Sequence, residues 1–145
     1  MAVPLTDEPD LHLLIDRQRV NGNIRANGVY EFRLPRPPVD AHIVSRSGVP
    51  QHFGLSGDPR RLGVALKRIT VWRGRRLRIM EASDPVLISG FHGFEEDNGF
   101  RWTDGDATLP PSLFDGLAGS CMIELTVACT ARYPLITVTP RRRAA

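Results

Sequence analysis

Residues 121–129 read CMIELTVAC, and this stretch decides the predicted fold. Its apolar side chains fall on alternate positions, which are Cys121, Ile123, Leu125, Val127 and Cys129. The positions between them hold Met122, Glu124, Thr126 and Ala128. Side chains alternate between the two faces of a β-strand, whereas apolar residues in an amphipathic helix recur every three or four positions. The pattern therefore predicts a strand with one face in the core and the other towards solvent.

Short apolar stretches recur along the chain and are separated by turn residues. Residues 29–34 alternate cleanly, whereas residues 62–72 change from apolar even positions to apolar odd positions at Lys67–Arg68. A β-bulge produces such a change of phase, and so does a strand that is buried on both faces near its beginning. Further strands are predicted at residues 11–15, 41–45, 77–80, 85–88 and 135–139.

The 12 prolines and 13 glycines are typical of short strands joined by turns. Only one helical turn is predicted, at residues 110–114, and a chain of 145 residues is long enough to bury a core in a single domain. We therefore predict an all-β protein, an antiparallel β-sandwich or jelly roll. Its parts would be a flexible arm at residues 1–10, one sandwich domain at residues 11–139 and a basic tail at residues 140–145.

The net charge of the chain comes mainly from its C-terminal tail. There are 19 Lys and Arg against 16 Asp and Glu, and three of the arginines are Arg141, Arg142 and Arg143. Without these three, the count is 16 basic against 16 acidic side chains. Nucleic-acid binding requires a basic face on the fold itself, so this composition argues against a nucleic-acid partner.

The charges are nonetheless segregated along the chain. Residues 60–78 carry eight basic side chains and no acidic one, whereas residues 81–106 carry seven acidic side chains and a single basic one, Arg101. Neighbouring strand faces that pair these charges would explain the pattern. An acidic loop set against a basic sheet face would explain it as well.

The cysteines and the first residues of the chain help to predict its cellular compartment. If one strand holds both Cys121 and Cys129, the two point the same way but lie roughly 26 Å apart, too far for a disulfide. Free, buried thiols suit a reducing cytosol. The start, MAVPLTDEPD, lacks the basic end and apolar region of a signal peptide, and no apolar run reaches the ~18 residues of a membrane span. We expect either a cytoplasmic protein or one exported by assembly with other chains.

Residues 90–111, GFHGFEEDNGFRWTDGDATLPP, hold the candidate functional side chains. They combine one histidine, five carboxylates, three phenylalanines and Trp102. Sugars stack their C–H faces on aromatic rings while charged side chains bind their hydroxyl groups. The predicted ligand-binding residues are Phe91, His92, Arg101, Trp102, Asp104 and Asp106. Alternatively, Phe91 and Trp102 are core residues at the ends of strands.

The carboxylates of this stretch allow two other interpretations. Asp104-Gly105-Asp106 could bind calcium, but it departs from the EF-hand pattern, and a turn held by an Asx hydrogen bond explains it too. Two carboxylates roughly 5–9 Å apart could hydrolyse glycosides, although any acidic loop offers such a pair. No zinc-ligand spacing and no G-x-S-x-G nucleophile motif is present. We therefore predict no catalytic residue, no metal site and no cofactor.

Several segments resemble a known module. They are residues 42–50 (HIVSRSGVP), 58–66 (DPRRLGVAL), 90–92 (GFH) and 100–107 (FRWTDGDA). Across roughly residues 11–135, the chain is similar to a β-sandwich module of alphaproteobacteria that is found beside Hint (hedgehog/intein) domains and in polysaccharide-related, glycosyltransferase-linked proteins. The resemblance implies a jelly-roll-like fold and a link to cell-surface glycans, and it supplies no catalytic residues.

Three functions follow as predictions. The first is a non-catalytic module that binds, or is displayed at, cell-surface polysaccharide, with Trp102 as the stacking platform. The second is a structural subunit of an oligomeric surface appendage or virus-like particle, because a short sandwich can associate through its edges. The third is a glycoside hydrolase or metal-assisted hydrolase that uses Glu95 or Asp106. The expected partners are a surface glycan or other protein subunits, including copies of the same chain.

Overall fold

The computed structural model describes residues 3–135 and contains thirteen β-strands in that range, labelled β1 to β13 in chain order. They are Leu5–Thr6, His12–Ile15, Gln18–Val20, Asn23–Arg25, Val29–Leu34, Ala41–Val44, Val64–Arg73, Arg76–Glu81, Phe91–Glu95, Phe100–Thr103, Asp106–Thr108, Cys121–Thr130 and Tyr133–Pro134. The helices of this range are short 3₁₀ helices at Ala26–Gly28, Pro50–Phe53 and Pro111–Phe114. None of them is long and apolar enough to cross a bilayer. The prediction of an all-β protein is confirmed.

Two antiparallel sheets form the body of the protein. The large sheet has seven strands, in the order β4-β5-β12-β7-β10-β9, and β8 pairs with β7 beside β10. The small sheet has four strands, in the order β11-β6-β2-β3, and β1 with β13 forms a separate pair. This arrangement is consistent with the predicted β-sandwich, while the narrower jelly-roll connectivity stays a prediction.

The core is built from the inward faces of both sheets. Ile123 and Leu125 of β12 are fully buried and belong to the same cluster as Leu13 of β2 and Ile43 of β6. Along β12, buried residues alternate with less buried ones from Cys121 onwards, as its sequence predicts. Burying one such aliphatic side chain contributes about 1.5–3 kcal/mol, so strand β12 anchors the sandwich.

The predicted change of phase in β7 coincides with a β-bulge. Thr126 of β12 pairs with Arg68 and Val127 pairs with Leu66, which leaves Lys67 without a partner on β12. The first three residues of β7 are also buried on both faces of the strand. Both explanations of the pattern therefore hold in the same strand.

A second irregularity changes the direction of Cys129. Val127 and Cys129 pair with the consecutive residues Leu66 and Ala65, so Ala128 is the extra residue on β12. Directly opposed residues of an antiparallel pair share a face, so Cys129 lies on the outer face of the large sheet with Ala65. It is exposed, whereas Cys121 is buried. The prediction that both thiols are buried on one face is wrong for Cys129.

The two ends of the described chain meet. Leu5–Thr6, within the segment predicted as a flexible arm, pairs with Tyr133–Pro134. The amide of Leu135 also donates to the carbonyl oxygen of Pro4 at 2.8 Å. Apart from Leu135, the predicted last strand at residues 135–139 and the basic tail lie outside the described residues.

The strand predicted at residues 85–88 is wrong, because this stretch forms turns. The Asp84 carboxylate accepts a hydrogen bond from the amide of Val86 at 3.0 Å, and the Asp84 carbonyl oxygen accepts one from the amide of Leu87 at 3.2 Å. An aspartate before a proline favours such turns. The connection carries the chain into β9, a strand that is absent from the predicted ones.

Candidate functional site

The six predicted ligand-binding residues lie where the chain passes from the large sheet to the small one. They are Phe91 and His92 on β9, Arg101 and Trp102 on β10, Asp104 in the following turn and Asp106 on β11. The adjacent side chains of Arg101 and Trp102 point to opposite faces of the sheet, because side chains alternate along a strand. The six residues are thus neighbours in the fold without converging on one surface.

Trp102 is a core residue on the outer side of the large sheet. Only 8% of it is exposed, and it packs in a small cluster with Leu62 and Ala65. The ring of Phe100 meets it edge to face, with ring centroids 5.8 Å apart and an interplanar angle of 77°. This burial supports the core interpretation of Trp102 and argues against its use as a stacking platform.

Arg101 is buried, with 9% of the residue exposed, and it binds backbone rather than presenting its charge. Its guanidinium group donates to the carbonyl oxygens of Ala82 at 2.7 Å, Leu87 at 2.9 Å and His92 at 3.3 Å. Burial lowers the pKa of this guanidinium. The side chain therefore holds the connection between β8 and β9 against β10, which is a structural role.

Asp104 closes the turn between β10 and β11. Its carboxylate accepts a hydrogen bond from the amide of Asp106 at 2.9 Å, and Gly105 has a φ of +106°. The amide of Ser45 in turn donates to the carbonyl oxygen of Gly105 at 3.0 Å. This is the Asx-type turn that the sequence offered as the alternative to a calcium loop.

Asp106 joins a polar link on the outer face of the small sheet. Its carboxylate lies 2.9 Å from Nδ1 of His42, whose Nε2 lies 3.1 Å from the carboxylate of Asp40. Among residues 3–135, no group of three or more His, Cys, Asp or Glu side chains is arranged to hold a metal ion. The imidazole stands between the two carboxylates, so the arrangement serves as a tie between β6 and β11.

The remaining two candidates are held by their neighbours. Phe91 is partly buried and packs against the main core. His92 donates from Nε2 to the carbonyl oxygen of Arg61 at 2.6 Å. Both residues therefore contribute to the packing and anchoring of β9.

The predicted pairing between the basic and acidic stretches is confirmed in part. Arg60 binds the Glu95 carboxylate at 3.2 Å and the Asp58 carboxylate at 2.8 Å. The hydrogen bonds from Arg60 lower the pKa of Asp58 to about 2. Arg68 likewise pairs with Glu81 at 3.4 Å. The arginines further along the basic stretch have no such partners among residues 3–135.

The carboxylates named for hydrolysis have structural partners. Glu95 accepts hydrogen bonds from Arg60 at 3.2 Å and from the side-chain amide of Asn98 at 2.7 Å. Asp106 is bound to His42, as described above. Neither contact supports the hydrolase alternative.

A cleft at the end of the large sheet brings together residues outside the predicted site. Its volume is about 240 Å³, and it is lined by Arg33, Trp72, Arg73, Gly74, Ser120, Cys121 and Met122. The indole of Trp72 is half-buried. Trp72 pairs with Leu77 on one side and with Met122 on the other, and Met122 pairs with Arg33. These four residues form one row across the outer face of the sheet, because directly opposed residues share a face.

Arg73 forms a fixed wall of this cleft. Its guanidinium donates to the carbonyl oxygen of Ser120 at 2.6 Å and to the Ser120 hydroxyl at 3.3 Å. A Cβ atom added at Gly119 would come within 2.9 Å of that guanidinium. The glycine thus lets the arginine lie flat against the backbone before β12.

The sequence pattern does indicate that Trp72 lies on the outer face of the sheet. Beyond the bulge at Lys67, the buried positions of β7 are Ile69 and Val71, so alternation places Trp72 on the outer face. Trp102 was predicted as the binding residue instead, because residues 90–111 are rich in charged side chains and aromatic rings. Trp102 is buried because other segments cover both faces of the sheet at its position. The sequence pattern of a single strand does not reveal such packing.

Comparison of the chain with protein-family models, with curated proteins and with solved structures found no match. The resemblance to the alphaproteobacterial module therefore stays a prediction. The functional proposal depends on the chain's own residues.

Proposed function

We propose that this chain is a non-catalytic β-sandwich module that binds cell-surface polysaccharide, with Trp72 rather than Trp102 as the stacking platform. The observation that carries the proposal is the half-buried indole of Trp72, which lies on the outer sheet face and lines the cleft at the end of the sheet. An indole held in this way offers a flat apolar surface to the C–H face of a sugar.

The dimensions and polar groups of the cleft suit a polymer. Its volume of about 240 Å³ is below the roughly 300–1,000 Å³ of sites that enclose a small molecule. A single sugar unit could occupy it while the polymer continues across the sheet. Arg33, Arg73 and Ser120 provide hydrogen-bonding groups at its edge.

The lining of the cleft favours binding over catalysis. The described residues around it include neither a carboxylate nor an imidazole, so they offer no acid/base pair of the kind that glycoside hydrolysis uses. The thiol of Cys121 is buried, and this burial raises its pKa, so a nucleophilic thiolate is disfavoured.

Replacing Trp72 with alanine is expected to weaken binding to a polysaccharide found on a glycan array by about tenfold or more, because the stacking surface is lost. Ile88→Ala is the matched control, since Ile88 is an exposed apolar residue that does not line the cleft. Affinity would be measured by titration with the array hit. An array without any bound glycan, or equal affinities for the Trp72 and Ile88 variants, would contradict the proposal.

A second candidate function, assembly with copies of the same chain, is favoured by strand β8. Leu77 and Ile79 are 63% and 54% exposed on one face of this strand, which pairs only with β7 among the described residues. Pairing of two β8 strands about a twofold axis would cover both side chains. Light scattering at high concentration is expected to show a dimer that Leu77→Lys dissociates and Ile88→Lys does not. A monomeric wild-type chain would exclude this candidate.

A further inference from the structure

Five arginines without acidic partners lie on or beside the hairpin of β7 and β8. They are Arg33, Arg73, Arg75, Arg76 and Arg78. Within residues 3–135, none of them has a carboxylate oxygen within 4.0 Å of its guanidinium nitrogens. Arg68, farther from the turn of the hairpin, and Arg19, Arg25 and Arg60 elsewhere do pair with carboxylates, whereas the six other arginines of residues 3–135 do not. The end of the sheet that holds the Trp72 cleft therefore carries positive charge that its surroundings do not neutralise.

The contacts that these arginines do make leave that charge in place. Arg73, Arg76 and Arg78 donate to backbone carbonyl oxygens within residues 112–120, at 2.6 to 3.2 Å. Carbonyl groups fix the positions of the guanidinium groups without cancelling their charge. The other two arginines donate no side-chain hydrogen bond to any described residue. Part of the cluster is thus preorganised and part of it is available to a ligand.

Two of the five arginines line the cleft itself. Arg33 lies at one end of the row that contains Met122 and Trp72, and Arg73 follows Trp72 in the chain. Arg33 therefore shares the outer face with the indole, whereas the Arg73 side chain leaves the opposite face of β7 and reaches the cleft at the end of the sheet, beside Ser120. Guanidinium binds carboxylate through two parallel hydrogen bonds, and such charge-assisted bonds are about twice as strong as those between neutral groups.

We infer that the polysaccharide bound at Trp72 is acidic and that its carboxylate-bearing sugar units are held by Arg33 and Arg73. This inference rests on the function proposed above and adds the charge of the ligand to it. A neutral polymer would leave both guanidinium groups without a partner of opposite charge. Clustered positive charge also speeds the association of an anionic polymer, and this effect weakens as salt is added.

Single-stranded nucleic acid combines rings with negative charge as well. Sites for it present several aromatic rings in succession along a basic groove. Among residues 3–135, the ring of Trp72 is the one aromatic ring that lines this cleft. The geometry therefore favours the acidic glycan, and nucleic acid is an outcome to be tested.

The test uses short oligomers of galacturonic acid and the same oligomers with their carboxyl groups methyl-esterified, so that the two ligands share a backbone and differ in charge. Calorimetric titration of the full chain is expected to show binding of the acidic form that is about tenfold tighter than binding of the ester. Arg33→Gln is expected to reduce affinity for the acidic form by about tenfold, and added salt should weaken it. Arg68→Gln is the matched control, because Arg68 lies on the same sheet face but is paired with Glu81.

Equal binding of the two oligomers, or equal effects of the Arg33 and Arg68 substitutions, would overturn the inference and leave the proposed polysaccharide binding intact. The inference would also be overturned if an oligothymidylate or anionic phospholipid vesicles bind to the chain and the acidic oligomer does not. If neutral and acidic polysaccharides alike fail to bind, the proposed function itself is wrong.

Discussion

Replacing Arg101 with methionine is expected to lower the free energy of unfolding by about 3–4 kcal/mol. The guanidinium group donates to the carbonyl oxygens of Ala82, Leu87 and His92, and the residue is buried. Methionine keeps much of the apolar stem but leaves these carbonyl groups without their donor. An unsatisfied buried polar group costs about 1–3 kcal/mol, so several together dominate the loss.

Arg68→Met provides the control for this substitution. Arg68 is exposed and pairs with Glu81 on the surface, so its loss should cost less than about 1 kcal/mol. Chemical denaturation of both variants measures the difference, and hydrogen exchange should show reduced protection confined to residues 82–92 in the Arg101 variant. Equal stability of the two variants would mean that the buried guanidinium is not a structural tie.

Replacing Gly90 with alanine is expected to destabilise the fold by more than about 3 kcal/mol. Gly90 has a φ of +83°, and a Cβ atom there would collide with the backbone of Asp106 and Ala107. Backbone atoms cannot rotate away as a flexible side chain can. The Gly90 carbonyl oxygen also accepts a hydrogen bond from the amide of Asp104 at 2.9 Å, so moving the segment would disturb the crossing from the large sheet to the small one.

Gly93→Ala is the matched control in the same region. A Cβ atom at Gly93 would meet no heavy atom of the described residues within 4 Å, and the φ of Gly93 lies outside the left-handed range. This substitution should change the free energy of unfolding by no more than about 0.5 kcal/mol, since alanine suits a strand at least as well as glycine. Thermal or denaturant unfolding of both variants compares them. A Gly90 variant as stable as the Gly93 variant would show that this crossing is not tightly packed.

Much of the fold could be predicted because strands with one buried face repeat every second residue. Strand β5, Val29–Leu34, and the first part of β12 follow this rule and were predicted with close boundaries. The short strands β1, β3, β4 and β13 were missed, since two or three residues are too few to establish a period. Strand β9 was missed because Gly93 interrupts its pattern of apolar side chains.

The candidate site was harder to predict because residue type does not reveal a side chain's partner. Arg101 resembles a ligand-binding residue in the sequence, yet its partners are carbonyl groups of a connection that begins 19 residues earlier. Trp102 resembles a stacking platform, yet both faces of the sheet are covered at its position. Trp72 lies in a stretch whose sequence is typical of an ordinary strand. Only its position after the β-bulge places its side chain on the outer face of the sheet.

The two tryptophans of the chain allow the most direct test of polysaccharide binding at Trp72. Trp72→Phe leaves only the buried Trp102, and Trp102→Phe leaves only the half-buried Trp72. Fluorescence emission would be recorded for each variant while the polysaccharide identified on the array is added. We expect the spectrum to shift in the variant that retains Trp72 and to stay constant in the variant that retains Trp102. A shift confined to the variant that retains Trp102 would contradict binding at the outer sheet face.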